Sequence, residues 1–322
     1  LRTRRDKGIG PFTGMSCDNI LGNGTVFRQA VVSLARMSDP ELADWIEKSC
    51  SFPNSMVDCI VPATGSKEIE AVRRTGIEDL VPVTHERHRQ WVIEDRFCAG
   101  RPALEKVGVT FSSDVHAYET MKIRILNGGH QLLANAGEIL SVESIAEAMA
   151  HPLIGAFFRK VALEEIVPQV PSVPDYTAGA YVDLISERFA NPAIVDAVRR
   201  VAFDGSSRHP GFLLPSVRQA LAASASVDGL ALAEAIWAFM CAGKRADGSV
   251  IEPNDPNWDS LFEMAQAARF SPKSWLELSQ IYGELRHDPE FADPFARWLS
   301  MIWDDGLETA LSVYLAKNTK SA

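Results

Sequence analysis

The chain has 322 residues, 46% hydrophobic and 23% charged, enough for one large domain or two of ordinary size with a core that needs no covalent staples. A formal charge of −10 and a pI near 5.3 oppose the field of nucleic-acid phosphates or an anionic bilayer, so small solutes or other proteins are the expected partners and neither nucleic acid nor membrane is. Five scattered cysteines, Cys17, Cys50, Cys59, Cys98 and Cys241, never fall in a Cys-x-x-Cys spacing, which predicts reduced thiols, a cytoplasmic setting, no disulfide framework and no structural zinc. The most apolar stretch, Leu230 to Ala242, is shorter than a bilayer span and is interrupted by Glu234, so it reads as a buried helix. The chain starts at Leu1 with a charged run and no apolar core behind it; it does not read as a signal peptide, and it is expected to be a piece of something longer.

In chain order, Pro11 to Cys17 reads as a short buried strand. Val26 to Arg36 has helical periodicity, and Ser38, Pro40 and Glu41 supply an N-cap, a first-turn proline and a capping box for a second helix running to about Lys48. Met56 to Val61 and Leu80 to Val83 are further strand candidates. From about Tyr118 the texture changes to amphipathic segments separated by proline-rich joints, of which Val167 to Asp175 is too proline-dense to be helical. Asn191-Pro192 is expected to cap a helix ending near Asp204-Gly205, and helices are predicted around 212–224, 229–242, 257–268, 273–284, 291–303 and 306–316. The fold class that follows is α/β, a partial Rossmann-type domain over 1–117, then a mostly α-helical domain over 118–322.

The segment from Tyr118 to His130 places Glu119, Lys122, Asn127 and His130 on one helix. At about 100° per residue they fall within an arc of roughly 140° and can look toward one cavity. Spacing alone is equally met by a surface ion pair and a structural histidine. Gly128 and Gly129 point further, since mid-helix glycines cost roughly 1 kcal/mol each and need a reason such as close approach of another backbone or a ligand.

The ordered set Ser16-Cys17-Asp18-Asn19, Met56-Val57-Asp58, Gln90-Trp91-Val92-Ile93-Glu94-Asp95, Lys122-x4-Asn127-x2-His130 and Asp204-Gly205-Ser206-Ser207-Arg208 resembles the mannitol dehydrogenase family of long-chain polyol-specific dehydrogenases, which includes fructuronate reductases. The resemblance runs over nearly the whole chain. It implies an NAD- or NADP-dependent oxidoreductase that interconverts a polyol and a ketose of the mannitol and fructose type, with no metal, acting as a monomer. Lys122 would be the general base for the substrate alcohol; a partly desolvated lysine is easier to hold as the neutral amine. Asn19 and Asn127 would donate to the oxygen that becomes carbonyl, an amide form of oxyanion hole. His130 would orient a neighbouring hydroxyl, and Glu119 would relay the proton to solvent. Arg200 and Arg208 would hold the remaining hydroxyls or a terminal carboxylate, while Val57, Asp58 and Asn19 would lie near the nicotinamide. Arg199 and Arg200 point about 100° apart on a helix, so only one is expected to face the cavity, and the family pattern selects Arg200.

The chain departs from the family pattern at Cys59 (usually Arg), Gly129 (usually Ser) and Arg208 (usually Lys), and in Thr84 to His88, where only Glu86 is retained. His85 and His88 have a metal-compatible spacing but no third ligand nearby in sequence, which favours a solvated loop. Gly8-Ile-Gly10 with Gly14 imitates a dinucleotide fingerprint but precedes a strand instead of following one. With no glycine-rich strand-turn-helix, the chain is expected to bind cofactor weakly. Two further functions therefore stand beside the polyol dehydrogenase: a hexonate oxidoreductase of the mannonate and fructuronate type, and a non-catalytic polyol-binding module.

Overall fold

The computed structural model describes residues 1–174 and 176–317. It divides into two compact units, Leu1–Thr120 and Met121–Ala322. The first unit holds a three-stranded sheet of order β1 (Ser55–Asp58), β2 (Gln90–Ile93), β3 (Thr110–Phe111). β1 and β2 are antiparallel, with Asp58 opposite Gln90, and β2 and β3 are parallel. The helices Asn23–Ser38 and Pro40–Ser49 bury Val32, Ala35, Leu42, Ala43 and Ile46 around Phe52; in the first of them the apolar side expected to be covered, with Val26, Phe27 and Leu34, is exposed instead.

Local chemistry moved several boundaries. Ser38 ends the first of these helices, and the cap of the second is Asp39, whose side chain accepts from the Leu42 N–H at 2.9 Å. Pro11 to Cys17 is not a strand; only Thr13 pairs, in one bridge with Ser51. A side chain takes the partner's place there, because the buried Asn23 amide donates to the carbonyls of Ser16, Asp18 and Ser55, leaving the segment without a ladder to join. Leu80 to Val83 is also irregular, with Leu80, Val81 and Val83 exposed; its Pro82 has no N–H to offer a neighbour.

The second unit is helical. Its centre is one continuous helical run: Val115–Met121 leads in from the first unit, Lys122–Asn127 is a π-helical segment, and Gly128–Ile139 follows. Every residue of Gly128–Ile139 except His130 is buried, packed by the helices Ile145–Ala150, Pro152–Val161, Val198–Val201, Gly205–Phe212 and Asp228–Met240. The C-terminal helices Trp258–Ala268, Pro289–Asp305 and Leu307–Ala316 lie where the periodicity predicts them. The predicted helix at 273–284 is instead broken into two 3-10 turns flanking Ser279–Tyr282. The predicted helix from Asn191 shrinks to Val198–Val201, because Asp196 and Ala197 are drawn off by the Ile145 N–H and by a bridge to Ser144. After a 3-10 turn at Val167–Gln169 the proline-rich joint carries no helix through residue 174; Asp175 lies outside the described residues. Among the described residues no helix is long and apolar enough to cross a membrane.

The two mid-helix glycines have a packing reason. A Cβ on Gly129 would sit 2.5 Å from the Phe158 ring and 3.3 Å from that of Phe189, and one on Gly128 would sit 3.1 Å from Leu213. Gly129→Ala is therefore expected to lose about 1–3 kcal/mol through overpacking, more than its better helix propensity returns. Urea denaturation that shows an unchanged or raised midpoint would refute this.

Glu165, in a second π-helical segment (Ala162–Ile166), caps the Asp228–Met240 helix from the side. Its two oxygens accept from the backbone N–H groups of Gly229 (2.7 Å) and Leu230 (2.8 Å). Burial raises its carboxyl from 4.5 to about 7 despite these donors. Between those pH values the folded chain holds a proton that the unfolded chain has released, so stability falls as pH rises through that window, by about 3 kcal/mol in all. Thermal unfolding followed from pH 5 to pH 8 is expected to show this decline in the wild type and to lose it in Glu165→Gln.

Candidate active site

The chemistry-bearing residues of the second unit converge on His130. The ring is stacked against Phe189 at 4.4 Å between centroids, and its Nε2 is buried with no hydrogen-bond partner among the described residues. Lys122 and Asn127 are both buried and bound the π-helical segment one turn upstream. Burial, followed by the positive charges of Arg200, Lys122, Arg188 and Arg208, pushes the imidazole down to about 3. The ring is thus neutral across the physiological range, with one nitrogen to donate and one to accept.

The π-helical stretch is what the helical-wheel reading missed. Gly128 donates its N–H to Ile123, five residues back, so the uniform 100° rotation per residue does not hold between Lys122 and Asn127. Widened turns of this kind commonly occur at functional sites.

Arg199, Arg200, Phe203, Arg208, Pro253 and Asn254 line an open cavity of about 560 Å³. Both adjacent arginines line it from a single turn, Val198–Val201, and of the two Arg200 is the one whose charge acts on His130. Each guanidinium is tethered differently. Arg199 donates to the carbonyls of Glu252 (2.8 Å) and Pro253 (3.0 Å) and reaches Glu138 at 3.5 Å. Arg200 forks onto both oxygens of the buried Asp196, at 2.7 and 2.6 Å. Arg208 donates to the Val201 carbonyl at 2.6 Å, which also accepts from Gln131 of the central helix.

The remaining sequence candidates belong to the first unit. Asn19 is exposed, in the loop whose carbonyls Asn23 gathers. Val57 is half-buried and Asp58 buried at the end of β1. His88 Nε2 lies 3.6 Å from Asp58, and His85 contacts the Glu86 carbonyl, so the two histidines serve different partners. Glu86 accepts from the Ile60 N–H at 2.7 Å, a structural reason for its retention. Among the described residues no three potential metal ligands cluster. The Glu119 carboxylate accepts from the Gly22 N–H at 3.2 and 3.3 Å and faces His116 at 3.2 Å. Burial raises its carboxyl above the ordinary range against the pull of these two partners.

Two family models match in order: the mannitol dehydrogenase Rossmann domain over residues 1–106 and the mannitol dehydrogenase C-terminal domain over residues 114–303. The chain belongs to the mannitol dehydrogenase family. Its fold class is accordingly a Rossmann-type domain followed by a mostly helical one. The chain is 52% identical over 316 residues to a mannitol 2-dehydrogenase of Cereibacter sphaeroides, covering 98% of this chain and 66% of that protein. It is 36% identical to one from Aspergillus clavatus, covering 98% and 64%. Among solved structures it is similar to Pseudomonas fluorescens mannitol 2-dehydrogenase in ternary complex with NAD and D-mannitol, with a TM-score of 0.88, 36% identity, and 99% and 65% coverage. A substrate-free D-sorbitol dehydrogenase gives a TM-score of 0.89 at 33% identity, with 96% and 64% coverage. The chain thus spans just under two thirds of the length of these mannitol dehydrogenase family relatives.

Asn23, Arg188 and Asp196 were not among the sequence candidates. Asn23 and Asp196 lie beside ones that were: Asn23 fastens the loop of Asn19, and Asp196 stands four residues before Arg200. That i, i+4 spacing of opposite charges was the available signal.

Proposed function

We propose that this chain forms the substrate-binding part of an NAD(P)-dependent dehydrogenase that interconverts a hexitol and a 2-ketose, mannitol and fructose being the pair. The observation that carries it is the Nε2 of a neutral His130, buried with no hydrogen-bond partner among the described residues and within electrostatic reach of Lys122 and of Arg200 and Arg208, which line an open cavity. A buried polar atom without a partner is costly unless something fills the role, and a hydroxyl of the substrate does so here. The names of the relatives support the same substrate class.

The lysine does not need a metal beside it in this reading. Lys122 takes the hydroxyl proton from the carbon being oxidised, and Glu119, three residues earlier, passes it to solvent. Asn127, with Asn19 added on the family resemblance, donates to the oxygen as it becomes carbonyl. Arg200 and Arg208 hold the hydroxyls further along the chain.

Among the described residues Gln90 Oε1, on the residue paired with Asp58, is buried with no hydrogen-bond partner, an acceptor that fits the amide end of a nicotinamide beside Val57 and Asp58. When bound, that cofactor supplies the acceptor for the hydride.

The test is a steady-state assay with NADH, or NADPH, against fructose and fructuronate. Turnover of fructose with little or none of fructuronate is expected. Preference for fructuronate would favour the hexonate reading, and turnover of neither would leave a polyol-binding module.

A further inference from the structure

Three guanidinium groups around one cavity would ordinarily attract an anion. The partners of these arginines argue otherwise. Arg199 has Glu138 at 3.5 Å, and Arg200 is forked onto both oxygens of Asp196. Asp196 is itself buried, 3% exposed, while the Arg200 side chain is half exposed. Arg208 has Asp204 as its main counter-charge, with Asp196 adding a smaller share. The backbone of Asp196 is fixed on both sides, its N–H on the Ile194 carbonyl and its carbonyl on the Ile145 N–H, so the carboxylate does not follow a ligand out. Arg200 thus has one buried anion of its own, and the fork also fixes its plane and the direction of its remaining N–H donors.

We propose that Asp196 is the residue that sets substrate class: by neutralising Arg200 in place, it keeps a rigid hydrogen-bond donor for hydroxyls and withholds the net charge that a terminal carboxylate would need. Asp196 touches no substrate; it acts through Arg200 as a positioning and charge-cancelling residue. This rests on the hexitol reading above and goes past it, since the same arginines without Asp196 would suit a hexonate.

Asp196→Asn keeps the size and one acceptor and removes the charge, and the half-exposed Arg200 can be solvated in its absence. The full chain, wild type and variant, is titrated calorimetrically with D-mannitol and with D-mannonate at low salt. The variant is expected to gain roughly tenfold or more in mannonate affinity relative to mannitol, the size of effect that one uncancelled charge exerts at a few ångströms near a protein surface. Asp196→Ser, which leaves room for water, should show the same gain, and Asp196→Asn combined with Arg200→Gln should abolish it. A merely structural role would weaken both ligands alike and leave their ratio unchanged, which would overturn the role of Asp196. If neither variant folds, as judged by thermal unfolding, the charge-cancelling role is overturned in favour of a structural one. Wild-type protein that binds neither ligand would overturn the hexitol reading itself, and the inference with it.

Discussion

Lys122→Ala is expected to lower turnover by at least ~10²-fold while leaving nucleotide affinity close to that of the wild type, as loss of a general base does. The residue is 6% exposed and begins the widened helical turn that ends at Asn127. The distribution of the loss between constants matters as much as its size. A base that acts only in the transition state lowers kcat and kcat/KM together, whereas a lysine that merely holds hydroxyls raises KM and spares kcat. Partial recovery by small primary amines, rising with pH as their neutral form accumulates, would identify the missing group as a proton acceptor. Near-wild-type turnover in the variant would remove Lys122 from the mechanism.

His130 supplies a complementary pH argument. Its imidazole is held near 3, so a rate limb between pH 5 and 8 would have to come from another group, and His130→Asn should keep that limb. The sign also bears on stability. The unfolded chain binds a proton on this histidine below its ordinary 6.5, and the folded chain does not, so its contribution is complete above that value and is lost as pH falls toward 3.

What could be read from residues alone follows a physical line. The C-terminal helices Trp258–Ala268, Pro289–Asp305 and Leu307–Ala316 bury whole apolar faces, and a face is a property of spacing. Met56 to Val61 reads as a strand for the same reason, and β1, Ser55–Asp58, takes up only its first half. Pro11 to Cys17 has the same composition but not the same partner: the amide of Asn23 takes its Ser16 carbonyl, and a hydrogen bond from 32 residues to one side, such as Asn23 to Ser55, leaves no local trace. The site divides likewise. Lys122, Asn127 and His130 were visible as an ordered motif, and the fold brings Arg200 and Arg208 into the electrostatic surroundings of His130. The π-helical register between Lys122 and Asn127 was not visible, because a change of one residue in hydrogen-bond span depends on the helices packed outside it. Nor was the reason for Gly129, which is a phenylalanine ring 29 positions along the chain.

The central helix that presents Lys122, Asn127 and His130 is anchored at its far end by a buried polar chain, and breaking that chain is expected to give the largest loss of stability in the molecule. Asn135 donates to His209 Nε2 at 2.9 Å, His209 Nδ1 donates to Glu234 at 2.9 Å, and the other Glu234 oxygen accepts from the Tyr282 hydroxyl at 2.9 Å. The Tyr282 oxygen in turn accepts from the Trp275 indole at 2.6 Å. His209 and Glu234 have no exposed surface, and the imidazole is stacked on Trp237 at 4.1 Å. Among the described residues the Glu234 carboxylate is held by two hydrogen bonds, one from each side. Glu234→Ala leaves the His209 N–H and the Tyr282 hydroxyl without an acceptor in a dry interior and opens a cavity beside Trp237, which together should cost about 3–5 kcal/mol. For a unit of this size that corresponds to a fall in Tm of roughly 10 °C or more. Glu234→Gln keeps one acceptor but sets an amide N–H against one of the two donors, so it should lose less than the alanine variant and more than a surface substitution. Equal Tm values for the wild type and Glu234→Ala would mean that the chain of donors is incidental and that apolar packing alone holds the helix in place.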